Sequence, residues 1–277
     1  MNNLAVIKLG GDIIADAVRL AAFATDLRQV LERGILPVVV HGGGPQISAL
    51  TNRVGLETTK VSGRRVTSPE VLELVKMALA GSVSIDLTAA CRAAGVPGVG
   101  LSGVSGIVHA TRRPPVKVTG AGEALVDFGQ VGDITRISVA EIIALQSAGL
   151  VPLINPLCLG PDGAVFNVNA DVVACRMAAA LKAKWLMLLT SADGVMDDLN
   201  VPESRYPELS PQGARQLIAD GVISGGMIPK VEEALGVLSA GVGQVCILPG
   251  GIPGALRGAF DGSTDFGTRL FVQGGPR

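Results

Sequence analysis

The chain predicts an α/β protein, a mainly parallel sheet with helices on both faces. Short apolar runs alternate with helical stretches along the whole sequence. Apolar residues make up 48% of it but aromatics only 3%, so the core is built from Val, Leu, Ile and Ala. That diet suits strands buried on both faces, as parallel sheets require. Glycine-rich turns also close the first two apolar runs, at the strand ends where such sheets gather ligands.

Leu4 to Ile7 reads as a buried strand, closed by Lys8 and then Gly10-Gly11-Asp12. Asp16 to Arg33 carries helical periodicity and stops at Gly34. Ile35 to Val40 is a second strand, followed by His41-Gly42-Gly43-Gly44-Pro45; Pro45 suits the first turn of a helix to about Val54. Thr67-Ser68-Pro69-Glu70 has the capping-box pattern and opens a long helix to about Ala94. Gly95 to Gly122, rich in Gly and Pro, reads as short hairpins with little helix. Ser138 to Ala148 is helix and Val151 to Asn155 strand. The second half repeats the alternation: helix over Asp171 to Lys182, strand over Trp185 to Leu189, helices over Ser210 to Asp220 and Met227 to Ala240, strand over Gln244 to Leu248. At roughly 150 residues per domain, 277 residues make one large domain or two lobes. The seam falls near Gly160 to Asn167, dividing 1–165 from 166–277, and without a linker the halves should pack as one body.

The charges, 23 Lys+Arg against 24 Asp+Glu, sum to -1 and leave no basic surplus for nucleic acid. No apolar run reaches the roughly 18 residues of a membrane span. The first residues lack the charged leader of an export signal. Cys91, Cys158, Cys175 and Cys246 are scattered without a CxxC pair, the pattern of buried thiols in a reducing compartment. A cytoplasmic protein with no nucleic-acid or membrane partner is the expectation.

Lys8-Leu9-Gly10-Gly11-Asp12 and His41-Gly42-Gly43-Gly44 each follow an early strand. A tight turn explains one or two of these glycines. Three in a row beside a second pair favour an anion site, since glycine lets backbone approach a ligand and helix N-termini offer free N–H groups. Neither turn is a P-loop, because GxxxxGKS and GxxxxGKT are absent. Gly98-Val-Gly100-Leu-Ser-Gly103 satisfies GxGxxG with Glu123 twenty residues on, but Gly106 and Pro114-Pro115 follow it, not a helix. It therefore reads as a loop and not as a dinucleotide site. Lys8 ends an otherwise apolar strand, a costly place unless it meets an anion, although many strand-end lysines are simply solvated. Lys230 sits at a loop-to-helix junction, in Ser224-Gly225-Gly226-Met227-Ile228-Pro229-Lys230. Between them Asn167-Val168-Asn169-Ala170-Asp171 opens a helix with two amides and a carboxylate. Asp171 alone could be an ordinary first-turn acid, but alternating asparagines are unusual for a mere cap.

Taken in order, Lys8-Leu-Gly-Gly, His41-Gly-Gly-Gly, Gly63-Arg-Arg-Val-Thr67, Val131-Gly-Asp133, Asn167-Val-Asn-Ala-Asp171 and Gly226-Met-Ile-Pro-Lys230 resemble the acetylglutamate kinases of the amino acid kinase family, over nearly the whole chain. NVNAD with GGMIPK is the specific part; the glycine turns alone would also fit carbamate kinase or aspartokinase. The resemblance implies a three-layer αβα sandwich in two lobes, 1–165 for N-acetyl-L-glutamate and dimer contact, 166–277 for MgATP. It implies an ATP-dependent phosphotransferase that makes N-acetylglutamyl 5-phosphate and ADP, a step of arginine biosynthesis. By position, Gly43, Gly44, Arg65, Asn167 and Asn169 would hold the amino acid. Gly11 and Gly44 would offer N–H groups to the transferring phosphoryl, flanked by Lys8 and Lys230 with Asp171 orienting both. Gly10, Gly11, Ser191, Ala192, Asp193, Gly194, Val195, Met196, Val222, Ile223, Ser224, Met227 and Lys230 would border the nucleotide. No resident metal site is expected, and Mg2+ would arrive with ATP.

The inventory suits that chemistry on its own terms. A side-chain carboxylate, with a pKa of about 4.3, is already ionised at neutral pH and needs no general base. It needs in-line alignment and relief of anion–anion repulsion. Arg65 is a natural bidentate clamp for a second carboxylate, or else a surface arginine on a hairpin. Two departures from the family's pattern stand out: Ser191 replaces an Asp after the strand ending at Thr190, and Ser105 replaces another after Gly-Leu-Ser-Gly. The rival readings are a kinase for carrier-bound α-aminoadipate and a silent ligand-binding relative. Arginine-inhibited members of the family carry a helix ahead of the first strand. Here seven residues precede Lys8 and most of them are needed for that strand. The expectation is a homodimer insensitive to arginine, joined through Pro69 to Ala80 by Val71, Leu72, Leu74, Val75 and Leu79.

Overall fold

Four apolar segments, Leu4–Leu9, Leu36–His41, Trp185–Thr190 and Gln244–Pro249, lie side by side in the middle of one sheet. The computed structural model describes residues 3–61, 63–118, 125–198 and 201–271. The sheet comprises β1 (Leu4–Leu9), β2 (Leu36–His41), β5 (Gly98–Ser102), β10 (Val151–Asn155), β13 (Trp185–Thr190), β14 (Glu208–Leu209), β15 (Gln244–Pro249) and β16 (Thr268–Leu270). Their order is β14-β16-β15-β13-β1-β2-β10-β5, parallel from β15 to β5, with β16 antiparallel to β15. A second sheet, in the order β12-β11-β6-β9, is built from β6 (Val108–Arg112), β9 (Gly132–Ile137), β11 (Leu157–Leu159) and β12 (Val165–Asn167). Two small hairpins pair β3 (Lys60–Val61) with β4 (Arg64–Arg65) and β7 (Val116–Lys117) with β8 (Leu125–Val126).

The helices are α1 (Gly11–Ala15), α2 (Ala17–Glu32), α3 (Gly44–Arg53), α4 (Pro69–Lys76), α5 (Ser84–Ala93), α6 (Ala140–Ser147), α7 (Ala170–Ala180), α8 (Pro211–Ala219), α9 (Met227–Ser239) and α10 (Ala255–Phe260). Side-chain alternation along the strands divides the core into two faces. Val6, Val38, Val40, Leu186, Leu188 and Ile247 pack with Val173 and Met177 of α7 and Val231 and Leu235 of α9. Ala5, Ile7, Val39, Met187 and Cys246 pack with Phe23 and Leu27 of α2, Leu87 and Cys91 of α5 and Leu256 of α10. The result is the expected helix–sheet–helix sandwich. Because β1 pairs with β13, one continuous sheet spans both halves of the chain. The expected seam at 165/166 falls inside β12, which belongs to the second sheet.

Local rules account for the element ends. Asp16 caps α2, its Oδ1 accepting from Val18 and Arg19 N–H at 2.9 and 3.1 Å, and Gly34 ends the helix at φ +71°. Three expectations need correction. Gly98 to Gly103 is not a loop: Gly98–Ser102 is the edge strand β5, parallel to β10. Its glycines serve close packing, since a Cβ on Gly98 would stand 2.8 Å from Leu153 Cδ1 and one on Gly100 2.8 Å from Ser84 Oγ. Glu123 and residues 119–122 lie outside the described residues. The N-cap of α4 is Ser68, not Thr67, and its Oγ accepts from Val71 N–H at 3.3 Å.

The third correction concerns the dimer patch. Val71, Leu72, Val75 and Leu79 are buried in the chain's own core with Ile47 and Leu157, and of the five expected contact residues only Leu74 is half-exposed. Periodicity identifies an apolar face but not what covers it. The run Pro69–Ala93 is long and apolar enough, by length and composition alone, to cross a membrane. Yet it is interrupted by a π-helical stretch at Met77–Val83 and packs Val75, Leu79, Leu87 and Cys91 inside the protein.

Candidate active site

The C-terminal ends of β1 and β2 meet the first turns of α3, α7 and α9. Lys8 shares its strand face with Val6, and that face looks onto α7. Its ammonium lies 3.0 Å from Asp171 Oδ1, a close ion pair, and only 8% of the residue is exposed. Lys230, in the first turn of α9, donates to Asp171 Oδ2 at 3.1 Å. The sequence-predicted trio thus converges on one carboxylate. Burial opposes the charge on Asp171, but Lys8 and Lys230 outweigh it and hold the carboxyl below its usual range. Two cations on one anion leave a positive surplus beside helix N-termini, whose first N–H groups have no intrahelical acceptor.

The glycine turns pack into the same corner. A Cβ on Gly42 would touch Ala170 Cβ of α7 at 3.7 Å, and one on Gly11 would stand 2.6 Å from Gly43 Cα. No side chain fits at Gly11, so there the two turns approach as bare backbone, whereas the Gly42 contact is an ordinary one. Gly43 is the N-cap of α3 and Gly44 its first residue. Gly10 holds the matching cap position of α1. Free amides beside two lysines are the groups from which anion sites are built.

Arg65, on β4, reaches over α3. Its Nη1 donates to Thr58 Oγ1 at 3.0 Å and its Nη2 to Ser48 Oγ at 2.7 Å and Gly44 O at 3.5 Å. Partial burial pushes its pKa down, and among the described residues no carboxylate pairs with it. A half-buried guanidinium next to the glycine turn and lacking an anion is poised for a carboxylate ligand. Asn167 donates from Nδ2 to Thr67 Oγ1 at 3.3 Å, on the edge of the same region. Asn169 is the N-cap of α7, its Oδ1 accepting from Asp171 N–H at 2.9 Å. Its alternation with Asn167 therefore includes an ordinary cap, which fixes the turn that presents Asp171. Asp133 of the Val-Gly-Asp motif accepts from Arg113 Nε at 2.7 Å.

The nucleotide-bordering residues divide. Ser191 and Asp193 are exposed beyond β13, and Ala192 is half-buried. Gly194, Val195 and Met196 are buried. The Val195 N–H donates to Thr268 Oγ1 at 2.8 Å and its C=O accepts from Tyr206 N–H at 2.9 Å, so neither backbone group is available to a ligand. In the other segment Ile223 is buried, Val222 and Met227 are half-buried and Ser224 is exposed. Sequence reasoning passed over Gln46, Ser48 and Thr58, which brace the glycine turns and Arg65. A polar residue just inside a helix that starts at Gly-Pro was the available signal.

Two lysines on one carboxylate beside paired glycine turns, at the strand ends of an α/β sheet, are the arrangement a highly charged anion would require. Residues 3–249 match the model of the amino acid kinase family, and the chain belongs to that family. The acetylglutamate kinase of Anaeromyxobacter sp. (strain Fw109-5) is 45% identical over 246 residues, 88% of this chain and 90% of that one. The N-acetylglutamate synthase from Neisseria gonorrhoeae, complexed with coenzyme A and N-acetyl-glutamate, has a TM-score of 0.83 at 25% identity, covering 99% of this chain and 60% of that one. Carbamate kinase from Giardia lamblia bound to AMP-PNP shares the fold, with a TM-score of 0.68 at 20% identity over 98% of each chain.

Proposed function

We propose that this protein transfers the γ-phosphoryl group of ATP to the side-chain carboxylate of N-acetyl-L-glutamate, giving N-acetylglutamyl 5-phosphate and ADP. The observation that carries the reading is the Lys8–Asp171–Lys230 trio set against Gly11 and Gly43-Gly44, in a chain 45% identical to an acetylglutamate kinase. A carboxylate oxygen forms a bond to the γ-phosphorus while the bond to the bridging oxygen breaks, and that electron pair leaves with ADP. Lys8 and Lys230 offset the charge on the phosphoryl oxygens, Asp171 keeps both ammonium groups aimed, and the Gly11 and Gly44 amides supply donors. Arg65, with Gly43, Asn167 and Asn169, holds the α-carboxylate end of the substrate. Ser191 to Met196 and Val222 to Ser224 border the nucleotide, so residues 1–165 serve the amino acid and 166–277 the MgATP. Mg2+ rides on the ATP phosphates as part of the co-substrate. Both Asp171 oxygens face lysines, and among the described residues no group of three His, Cys, Asp or Glu side chains could hold a metal ion.

Four buried free cysteines fit a reducing cytoplasm. A homodimer would use the outer side of Pro69–Ala93, where Met77 is 60% and Ile85 64% exposed; a monomer in light scattering would remove that part of the reading. The activity is tested by trapping acyl phosphate with hydroxylamine. N-acetyl-L-glutamate should give hydroxamate and ADP, while glutamate, aspartate and N-acetylaminoadipate should be poor acceptors. Equal turnover of free glutamate would refute the assignment.

A further inference from the structure

We propose that Gln46 is a positioning residue that clasps the two glycine turns together and keeps their amides open to the transferring phosphoryl; this rests on the phosphotransferase reading above. Gln46 lies in the first turn of α3, three residues after the N-cap Gly43. A glutamine at that place commonly folds back onto the N–H of its own N-cap. This one does not. Its Nε2 crosses to the neighbouring turn and donates to Gly11 O at 2.7 Å, while Oε1 is fully buried and meets no donor.

The surroundings explain why so small a contact matters. Gly11 and Gly43 touch as bare backbone, and a Cβ on Gly11 would stand 2.8 Å from Gln46 Oε1 as well as 2.6 Å from Gly43 Cα. On the far side of Gly43 the π-helical stretch closes in: a Cβ there would lie 2.6 Å from Leu79 Cδ2 and 3.2 Å from Val83 Cγ2. Gly43 is therefore backed by apolar packing on one side and held to Gly11 through Gln46 on the other. The unmet Oε1 is a costly feature to keep in a native interior. Meeting it by the usual fold-back would engage the Gly43 N–H and pull the carboxamide away from Gly11 O. The carboxamide is thus diverted from capping its helix to spacing two sets of phosphoryl donors, and misplacing such donors by about 1 Å costs on the order of 10²-fold in rate.

Gln46→Glu and Gln46→Met test this. At pH 8 the glutamate variant cannot donate to Gly11 O and is free to cap α3 instead. Its kcat should fall on the order of 10²-fold, with KM for both substrates within about threefold of wild type. Its melting temperature should equal or exceed that of wild type, since a capping box is gained. A protonated glutamic acid can donate again, so the variant-to-wild-type rate ratio should stay near its floor from pH 8 to about 6.5 and rise roughly tenfold between about pH 6.5 and 5, as a carboxyl with a pKa of about 4.3 begins to protonate. Gln46→Met should lose the same rate with a ratio that is flat in pH. Wild-type kcat in Gln46→Glu would overturn the clasp, and so would a loss that only tracks a fall in melting temperature. A flat ratio in that variant would overturn it too. All ratios are taken on the acceptor that wild type uses best. A different best acceptor overturns the N-acetylglutamate reading and leaves Gln46 standing, whereas an active wild type with an equally active variant overturns Gln46 alone.

Discussion

His41 ends β2 immediately before the Gly42-Gly43-Gly44 turn and is wholly buried. Its Nδ1 lies 3.1 Å from Gly42 O, and its Nε2 is enclosed with no partner. A proton on Nε2 would place an unpaired charge in the interior. Burial accordingly lowers its pKa from 6.5 to about 4, only partly opposed by the bond to Gly42. Because the folded value is the lower one, the unfolded chain binds the extra proton, and stability is complete above pH 6.5 and lost as pH falls through 6.5 toward 4. Across that whole window the loss is about 3 kcal/mol, and by pH 5 it is already about 2 kcal/mol. Urea unfolding of wild type and His41→Leu at pH 7.5 and 5.0 measures it. Carboxylates that titrate in both proteins cancel, so wild type should lose about 2 kcal/mol more than the variant. Equal losses would refute the claim that burial excludes the proton from this ring.

Three further outcomes follow from the site. Lys230→Met removes one of two cations and leaves Lys8 with Asp171, so steady-state kinetics should show kcat down on the order of 10²–10³-fold with KM little changed. Arg65→Ala should instead raise KM for N-acetyl-L-glutamate by on the order of 10-fold or more, because the guanidinium meets no carboxylate until substrate arrives; a pure kcat effect would reverse the roles of these residues. Ser191→Asp, at an exposed position beyond β13, should lower KM for ATP and leave that for the acceptor alone, and no change would assign the task to the exposed Asp193 two residues on.

What the sequence shows and what it hides have the same physical origin. β1, β2, β13 and β15 were legible because strands buried on both faces leave continuous apolar runs. Lys8 was legible because it interrupts such a run. Gly98 and Gly100 misled because glycine reads alike in a turn and under a packed helix, and only the nearness of Leu153 and Ser84 separates the two. The stripe of Val71, Leu72, Val75 and Leu79 misled because an amphipathic period is the same whether its cover is a second subunit or Ile47 and Leu157 of the same chain. Gln46 left only a weak trace, a neutral polar residue just inside a helix that starts at Gly-Pro. Charge, then, marks the residues that meet the anion, whereas those that set its donors apart act through packing and one hydrogen bond. Such residues are found by asking which buried polar atoms lack a partner and what would be lost if they had one. Among the described residues that question returns Asp12 Oδ2, His41 Nε2 and Gln46 Oε1, whereas Asp171 Oδ1 has the Lys8 ammonium beside it. All three belong to the glycine turns or to α3, which starts from one of them, so the unmet polar demand of the described residues collects where a charged substrate would bind.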